Sequence, residues 1–583
     1  MPVPRPYDPL PCYPCVDGTV ATGWAAACAT VPAATRVLAI DGPAILDGSG
    51  LDSPGPRGSG WTGLATLVAA ELNAAGAGGV ELLDMRRHFA EWDQIIKRTG
   101  PVEALRDDPD FATLAGGTLA DLLGEVPVPV RTPERLCLVF GPGAALVEHD
   151  VLWYADLPKR YAEAAVVAGR AGNLGQPEEA GPGTTRRLFY VDWPLLDRHR
   201  DALAHRIDRW VDVQRPGEPR SISGDALRAT AAALAGRPFR TRPTFNTTSW
   251  GGHWAQQRLG FNPRARNTAL GYELIAPESG VLIGEPGTGT VEVPFQLLVT
   301  LHPLALLGGV VHDRFGTCFP IRFDYLDTLG GGSLSVHCHP REDQMRELFG
   351  WPYPQHETYY VMVGGDDRVI YLGLRGDADI DEFHRRARAA DEHAVPFDIE
   401  EFVQTFPAQP HQLFLVPAGT PHGSGVGNVV LEVSATPYLY SLRFYDWLRR
   451  DAEGAQRPVH VEHAFANLNT DRRGETVRAQ LVPVPCAVTA GPGWQDELLG
   501  ALDEMFFQVR RLVVQPAAAA RLSTEDRFCV VNLVDGEGAV LRWAGGAHDL
   551  AYAETIVVPA AVGEYTVESA GGTPVRLVRA FVA

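Results

Sequence analysis

Leu334-Ser335-Val336-His337-Cys338-His339-Pro340 is the stretch on which the reading of this 583-residue chain turns. On an extended strand successive side chains alternate, so His337 and His339 point one way and Cys338 the other. Two further groups follow downstream: Glu357, and the turn Pro417-Ala418-Gly419-Thr420-Pro421-His422. Both would have to arrive from neighbouring strands, and a Pro-x-Gly corner before His422 suits the start of a strand at a barrel wall. Three imidazoles and a carboxylate suit Zn²⁺, Fe²⁺, Mn²⁺ or Ni²⁺, and the lack of thiolates points to an open, catalytic site. The expectation is that His337, His339, Glu357 and His422 hold one divalent metal ion, with Zn²⁺ first among the candidates.

His-x-His with a later Pro-x-Gly-x-x-His resembles the ligand pattern of the cupin superfamily, small double-stranded β-barrels with a metal at the mouth. The long segment from Pro340 to His356, which separates the histidines from the glutamate, resembles class I mannose-6-phosphate isomerases. So do Trp250-Gly251-Gly252, the strand Leu334 to Pro340, Glu357-Thr358-Tyr359-Tyr360 with Arg368-Val369-Ile370-Tyr371-Leu372-Gly373, and Arg443-Phe444-Tyr445-Asp446-Trp447. The resemblance spans residues 243 to 583 and implies metal ligands at His337, His339, Glu357 and His422. His337 stands where that family usually has Gln, an exchange that keeps a neutral ligand. The activity implied is interconversion of mannose 6-phosphate and fructose 6-phosphate, or of a related sugar phosphate.

The chain departs from that family in its cations. It has two lysines, Lys97 and Lys159, and neither lies in the isomerase-like part. Where the family places one lysine two residues before the metal glutamate, this sequence has Gln355; the other position falls on Asp324 or a near neighbour. Gln355 shares a strand face with Glu357, so it points inward but neither carries charge nor titrates. Arg443 is the cation expected to grip phosphate or enediolate charge, with Tyr445 on its strand face. His356, next to Glu357, is expected to face outward in a structural role. An Asp that precedes the Arg in many isomerases is replaced around Leu439. These departures keep two other readings open: another metal-cupin enzyme, an oxygenase or epimerase, and a sugar-phosphate-binding or regulatory protein without turnover.

Fifty-one basic against 71 acidic residues give a formal charge of −20, which disfavours nucleic acid or an anionic membrane as partners. No early apolar run follows basic residues and no stretch of about twenty apolar residues occurs, so a cytoplasmic protein is expected. Eight scattered cysteines fit a reducing compartment, and Cys12-Tyr13-Pro14-Cys15 lacks a second pair at ligand spacing.

The length predicts about three or four domains. Residues 1–35 read as a flexible Pro-rich arm. Residues 36–240 alternate strands and helices: Val37 to Gly42 is a short buried strand, a Gly-rich loop follows, and Leu64 to Ala75 is a helix. Gly55-Pro56-Arg57-Gly58-Ser59-Gly60-Trp61-Thr62 has phosphate-loop spacing with Trp61 in the lysine position. The region resembles a nucleoside-kinase-type P-loop fold, degenerate because tryptophan cannot serve phosphoryl transfer as a cation. Its helix N-terminus could still hold a nucleotide or another anion weakly. Residues 243–482 carry many short strands with Gly and Pro turns, the signature of an all-β barrel, with helical insertions at 341–349 and 379–391. Residues 483–583 form a second set of strands in which Glu564 stands where the first has His422, so that barrel is expected to be metal-free. The fold class expected is therefore multidomain: an α/β P-loop-like domain, then all-β double-stranded barrels with helical insertions.

Overall fold

The strand Val37–Asp41 is buried at every residue, which requires a sheet covered on both faces. The computed structural model describes residues 5–46, 59–287, 289–436, 440–450 and 454–583. It places this strand in a seven-stranded sheet of order Ala21–Thr22, Arg220–Ser223, Arg209–Asp212, Val151–Asp156, Val37–Asp41, Leu136–Phe140 and Val80–Asp84. The last five run parallel, and Arg220–Ser223 is antiparallel to both its neighbours. The helix expected near Leu64 is Ser59–Ala74; it buries Leu64, Ala65, Val68 and Leu72 at helical spacing against Leu38, Ile40 and Leu138. Most of the Gly-rich loop, residues 47–58, lies outside the described residues. Trp61 is 2% exposed and donates from Nε1 to the Pro43 carbonyl at 3.0 Å, so the residue at the lysine position is spent on the core.

Two facing sheets make the first barrel. One has six strands, in the order Leu413–Val416, Glu357–Val363, Val429–Ala435, Ile321–Asp327, Leu270–Leu274 and Thr244–Asn246. The other has five, in the order Val403–Ala408, Gly365–Leu374, His422–Ser424, Val336–Cys338 and Leu442–Tyr445. Helical insertions occur where expected, at Glu342–Gln344 with Met345–Phe349 and at Ile380–His393. The all-β expectation fails at Phe295–Leu301, Pro303–Leu307 and Gly309–Phe315, which are helices. Their continuous apolar run is ambiguous in period, and tertiary packing settles it. They join the two barrels: the Phe528 amide donates to the Leu307 carbonyl at 3.1 Å, and Phe319 packs on Phe528 at 4.1 Å between ring centres.

Residues 483–583 form a six-stranded and a four-stranded sheet around Leu512, Val531, Leu541, Ile556 and Leu577. Glu564 begins a strand there and is exposed.

The arm is not flexible from Arg5 onward. Cys12–Tyr13 pairs in parallel with Leu282 and Ile283 of the strand Gly280–Glu285, because Tyr7 and Tyr13 have enough ring surface to bury, at 8% and 5% exposure. Glu554 of the second barrel fastens it further. Its carboxylate accepts from the Asp8 amide at 2.8 Å and from Arg5, and pairs with Arg240 Nη1 at 2.7 Å. No helix among the described residues is long and apolar enough to cross a membrane, and all eight cysteines are unbridged.

Candidate metal centre

Antiparallel pairing sets His337 directly opposite His422, so the two imidazoles share the inner face of the five-stranded sheet. Glu357 comes from the six-stranded sheet across the barrel. With His339 they form one buried cluster whose ligand atoms all lie within 4.8 Å of one another. Exposures are 6% for His337, 1% for His339 and Glu357, and 0% for His422.

Every ring in the cluster is oriented by its backbone. Nδ1 of His337 lies 2.9 Å from the Ser335 carbonyl, Nδ1 of His339 3.0 Å from the Tyr440 carbonyl, and Nδ1 of His422 2.9 Å from the Thr420 carbonyl. A carbonyl only accepts, so each Nδ1 carries a proton, and in the neutral ring that leaves Nε2 as the lone pair. His339 Nε2 lies 2.9 Å from Glu357 Oε1 yet is buried without a hydrogen bond. His422 Nε2 lies 3.1 Å from Glu357 Oε2. Lone pairs facing carboxylate oxygens in a buried site repel unless a cation sits between them. The donor set of three neutral nitrogens and one carboxylate fits a divalent metal for that reason. Burial, with the neighbouring imidazoles, holds His337 well below its ordinary value, which keeps that ring neutral and able to ligate.

Glu357 has two further neighbours. Gln355 donates from Nε2 to Glu357 Oε1, while its own Oε1 is buried without a partner. The second, which the sequence reading missed, is Arg322. Its Nη2 lies 3.2 Å from Glu357 Oε1, also bonds Glu432, and Nε stands 3.5 Å from Asp324 Oδ1. Arg322 and Asp324 alternate along Ile321–Asp327 and so share one face. That alternation is the signal in the sequence: the expected lysine position, Asp324, lies two residues from the cation on the same face. Burial drives Asp324 up to about 6 although Arg322 opposes it. Burial, with Asp324 and Glu357 nearby, raises Glu432 well above the carboxylate range.

The structure divides Arg443 from Tyr445. Val336 pairs with Tyr445 and His337 with Arg443, a register shift that gives the second strand one extra residue. This bulge reverses the expected sharing of a face. Arg443 keeps the face of His337, whereas Tyr445 joins Val336 on the other, stacking near Phe397 and Trp447 at 4.5 and 5.1 Å. Tyr445 is therefore withdrawn from the site. Arg443 donates from Nη1 to the Pro458 carbonyl at 3.1 Å; burial and the nearby Arg457 bring its guanidinium down to about 10. Residues 437–439, including Leu439, lie outside the described residues. His356 is 4% exposed, and its Nδ1 accepts from the Ala418 amide at 3.2 Å, which steadies the turn leading to His422.

A further feature invisible in the linear sequence is a clasp from the front α/β part. Asp108 Oδ2 lies 2.7 Å from His463 Nε2 and Asp110 Oδ2 3.3 Å from His460 Nε2. Phe111 packs on His460 at 4.5 Å and on Tyr440 at 6.1 Å between ring centres. Tyr440 is the residue whose carbonyl orients His339.

Residues 55–236 match a family described as a domain of unknown function, DUF8485. The probable mannose-6-phosphate isomerase GmuF of Bacillus subtilis (strain 168) is 23% identical over 334 residues, covering 57% of this chain and 96% of the relative. The mannose-6-phosphate isomerase of Streptococcus mutans serotype c is 26% identical over 302 residues, covering 50% of this chain and 83% of the relative. Among solved structures, the mannose 6-phosphate isomerase from Bacillus subtilis superposes with a TM-score of 0.48 at 18% identity, covering 59% of this chain and 99% of the other.

Proposed function

We propose that this chain is a divalent-metal-dependent aldose–ketose isomerase that interconverts mannose 6-phosphate and fructose 6-phosphate, with Zn²⁺ as the metal. The observation that carries the reading is the tautomer lock: three Nδ1 groups tied to carbonyls, with the opposite nitrogens and Glu357 directed at one buried point. Isomerase relatives that this chain matches over almost their whole length support the choice of reaction.

Moving a proton between adjacent carbons through an enediol needs a base, a stabiliser for oxyanion charge and a fixed substrate. When bound, the metal would supply Lewis acidity toward the sugar oxygens. Arg443, beside His337 on the inner face, would hold phosphate or enediolate charge. Gln355 orients Glu357 and moves no proton. Arg322 balances Glu357, Glu432 and Asp324, supplying from two residues upstream the positive charge absent at Asp324.

Residues 36–240, 243–482 and 483–583 are read as three modules, the first a nucleoside-kinase-type domain that has lost phosphoryl transfer and the last a metal-free barrel. Five parallel strands and the buried Trp61 support this. Unbridged cysteines fit a cytoplasmic setting.

One specific observation favours a second reading, a sugar-phosphate binder without turnover: Gln355 and Asp324 stand where the resembled family has lysines. A coupled assay on purified protein, with added Zn²⁺ and with chelator, decides between them. Conversion of mannose 6-phosphate that His339→Ala abolishes supports the isomerase; binding of the sugar phosphate without conversion supports the binder.

A further inference from the structure

A cavity of about 840 Å³ lies in the front α/β part, remote from the metal ligands in sequence. It is within the size range of small-molecule sites. Asp84, the last residue of the parallel strand Val80–Asp84, is on its wall, and the carboxyl ends of parallel strands are where open α/β sheets bind ligands.

Three arginines, Arg86, Arg87 and Arg170, and three acids, Asp84, Glu91 and Glu178, line it. In a chain of net charge −20 the described wall is therefore electrically balanced. Arg86 is held before any ligand arrives. Its Nε and Nη2 donate to the two oxygens of Asp84 at 2.9 and 2.7 Å, and Nη2 also donates to Thr62 Oγ1 at 2.7 Å. Its Nη1 makes no hydrogen bond among the described residues, so the fixed guanidinium keeps one nitrogen that can donate to a phosphate oxygen.

Two observations weigh against a triphosphate with its divalent cation. Trp61 puts its ring into the core where a lysine would reach terminal phosphates, and the Thr62 oxygen that would face a cation accepts from Arg86 instead. The organic half of a ligand has a wall in Phe89 and Trp92. Trp92 is braced from behind by Arg187, whose guanidinium carbon lies 4.7 Å from the ring centre.

We propose that this cavity binds a phosphomonoester carried on a hydroxylated ring, the chemistry shared by sugar monophosphates and nucleoside monophosphates, with Arg86 as its phosphate anchor. The site is separate from the barrel and stands whether or not the barrel isomerises sugars.

The test is titration calorimetry on the full chain carrying His339→Ala, which silences the barrel, with mannose 6-phosphate, adenosine 5′-monophosphate and inorganic phosphate as probes. The expected result is one-to-one binding of the sugar phosphate or of the nucleotide, at least tenfold tighter than inorganic phosphate; which arm responds identifies the source. Arg86→Gln or Trp92→Leu should weaken that binding at least tenfold, with Arg86→Lys recovering part of it. In a chain with an intact barrel, Arg86→Gln should leave metal content and any isomerase rate unchanged. Absence of binding by both organic probes overturns the proposal. So does affinity no better than that of inorganic phosphate, or binding untouched by both substitutions. If Arg86→Gln lowers the melting temperature too far for titration, Trp92→Leu decides.

Discussion

Arg322 Nη2 lies 3.2 Å from Glu357 Oε1 inside the barrel, at side-chain exposures of 7% and 2%. A buried guanidinium thus bears directly on a carboxylate that also faces two imidazoles. With Glu432 and Asp324 attached to the same arginine, removing it would strand three buried acids. Breaking a buried pair costs about 3–5 kcal/mol, and loss of a hydrogen bond to a metal ligand lowers affinity by about 10–100-fold. Arg322→Gln is expected to do both, read by denaturant unfolding and by metal content after dialysis at limiting Zn²⁺. Wild-type stability together with wild-type metal retention would refute this role.

Removing the metal is expected to destabilise the protein as well as silence it. A ligand that binds only the folded state at 100 times its Kd adds about 2.7 kcal/mol. Chelation should therefore lower the melting temperature of wild type and leave that of His339→Ala nearly unmoved. Equal shifts in both would place the bound ion elsewhere.

The bulge that parts Arg443 from Tyr445 makes a paired prediction. Loss of a charge-assisted hydrogen bond to phosphate costs about 1.5–3 kcal/mol, so Arg443→Ala should lower kcat/KM by about 10–100-fold. Tyr445→Phe keeps the ring that packs on Phe397 and should change kcat/KM by less than about twofold. A large loss in Tyr445→Phe would mean that its hydroxyl reaches the substrate after all.

Phe111 belongs to the front part but packs beside Tyr440 and His460. Phe111→Ala should cost about 3–5 kcal/mol in the unit it stabilises and expose the segment around Asp108 to protease. It should also loosen the carbonyl that orients His339, lowering metal affinity. Unchanged cleavage and unchanged metal content would show the clasp to be dispensable.

Acid sensitivity should include His548. Its Nε2 is buried without a partner, and burial with Arg240, Arg5 and Arg237 nearby brings it down to about 3 from 6.5. Between those values the unfolded chain takes up a proton that the folded chain refuses, so this residue causes no loss above pH 6.5 and a growing one below it. The slope approaches about 1.4 kcal/mol per pH unit. His548→Asn should flatten the fall of melting temperature between pH 6.5 and 4 relative to wild type; identical profiles would rule His548 out as a contributor.

Strand alternation and residue type were enough to read from the chain which four side chains meet: His337 and His339 two apart on one strand, His422 after its Pro-x-Gly turn, and Glu357 opening another. These are local properties, because a strand has period two and a turn residue restricts its own dihedral angles. The front strands and the helix at Ser59–Ala74 were legible for the same reason. What surrounds the ligands was decided by pairing between distant segments. One extra residue opposite Val336 and His337 sets Tyr445 on the face of Val336 while Arg443 keeps that of His337. Arg322 reaches Glu357 only because strands 35 residues apart in sequence face each other, and Asp108 and Phe111 meet His460, His463 and Tyr440 across more than 300 residues. Register and docking of this kind depend on burying apolar surface from remote parts of the chain, information that no single segment contains.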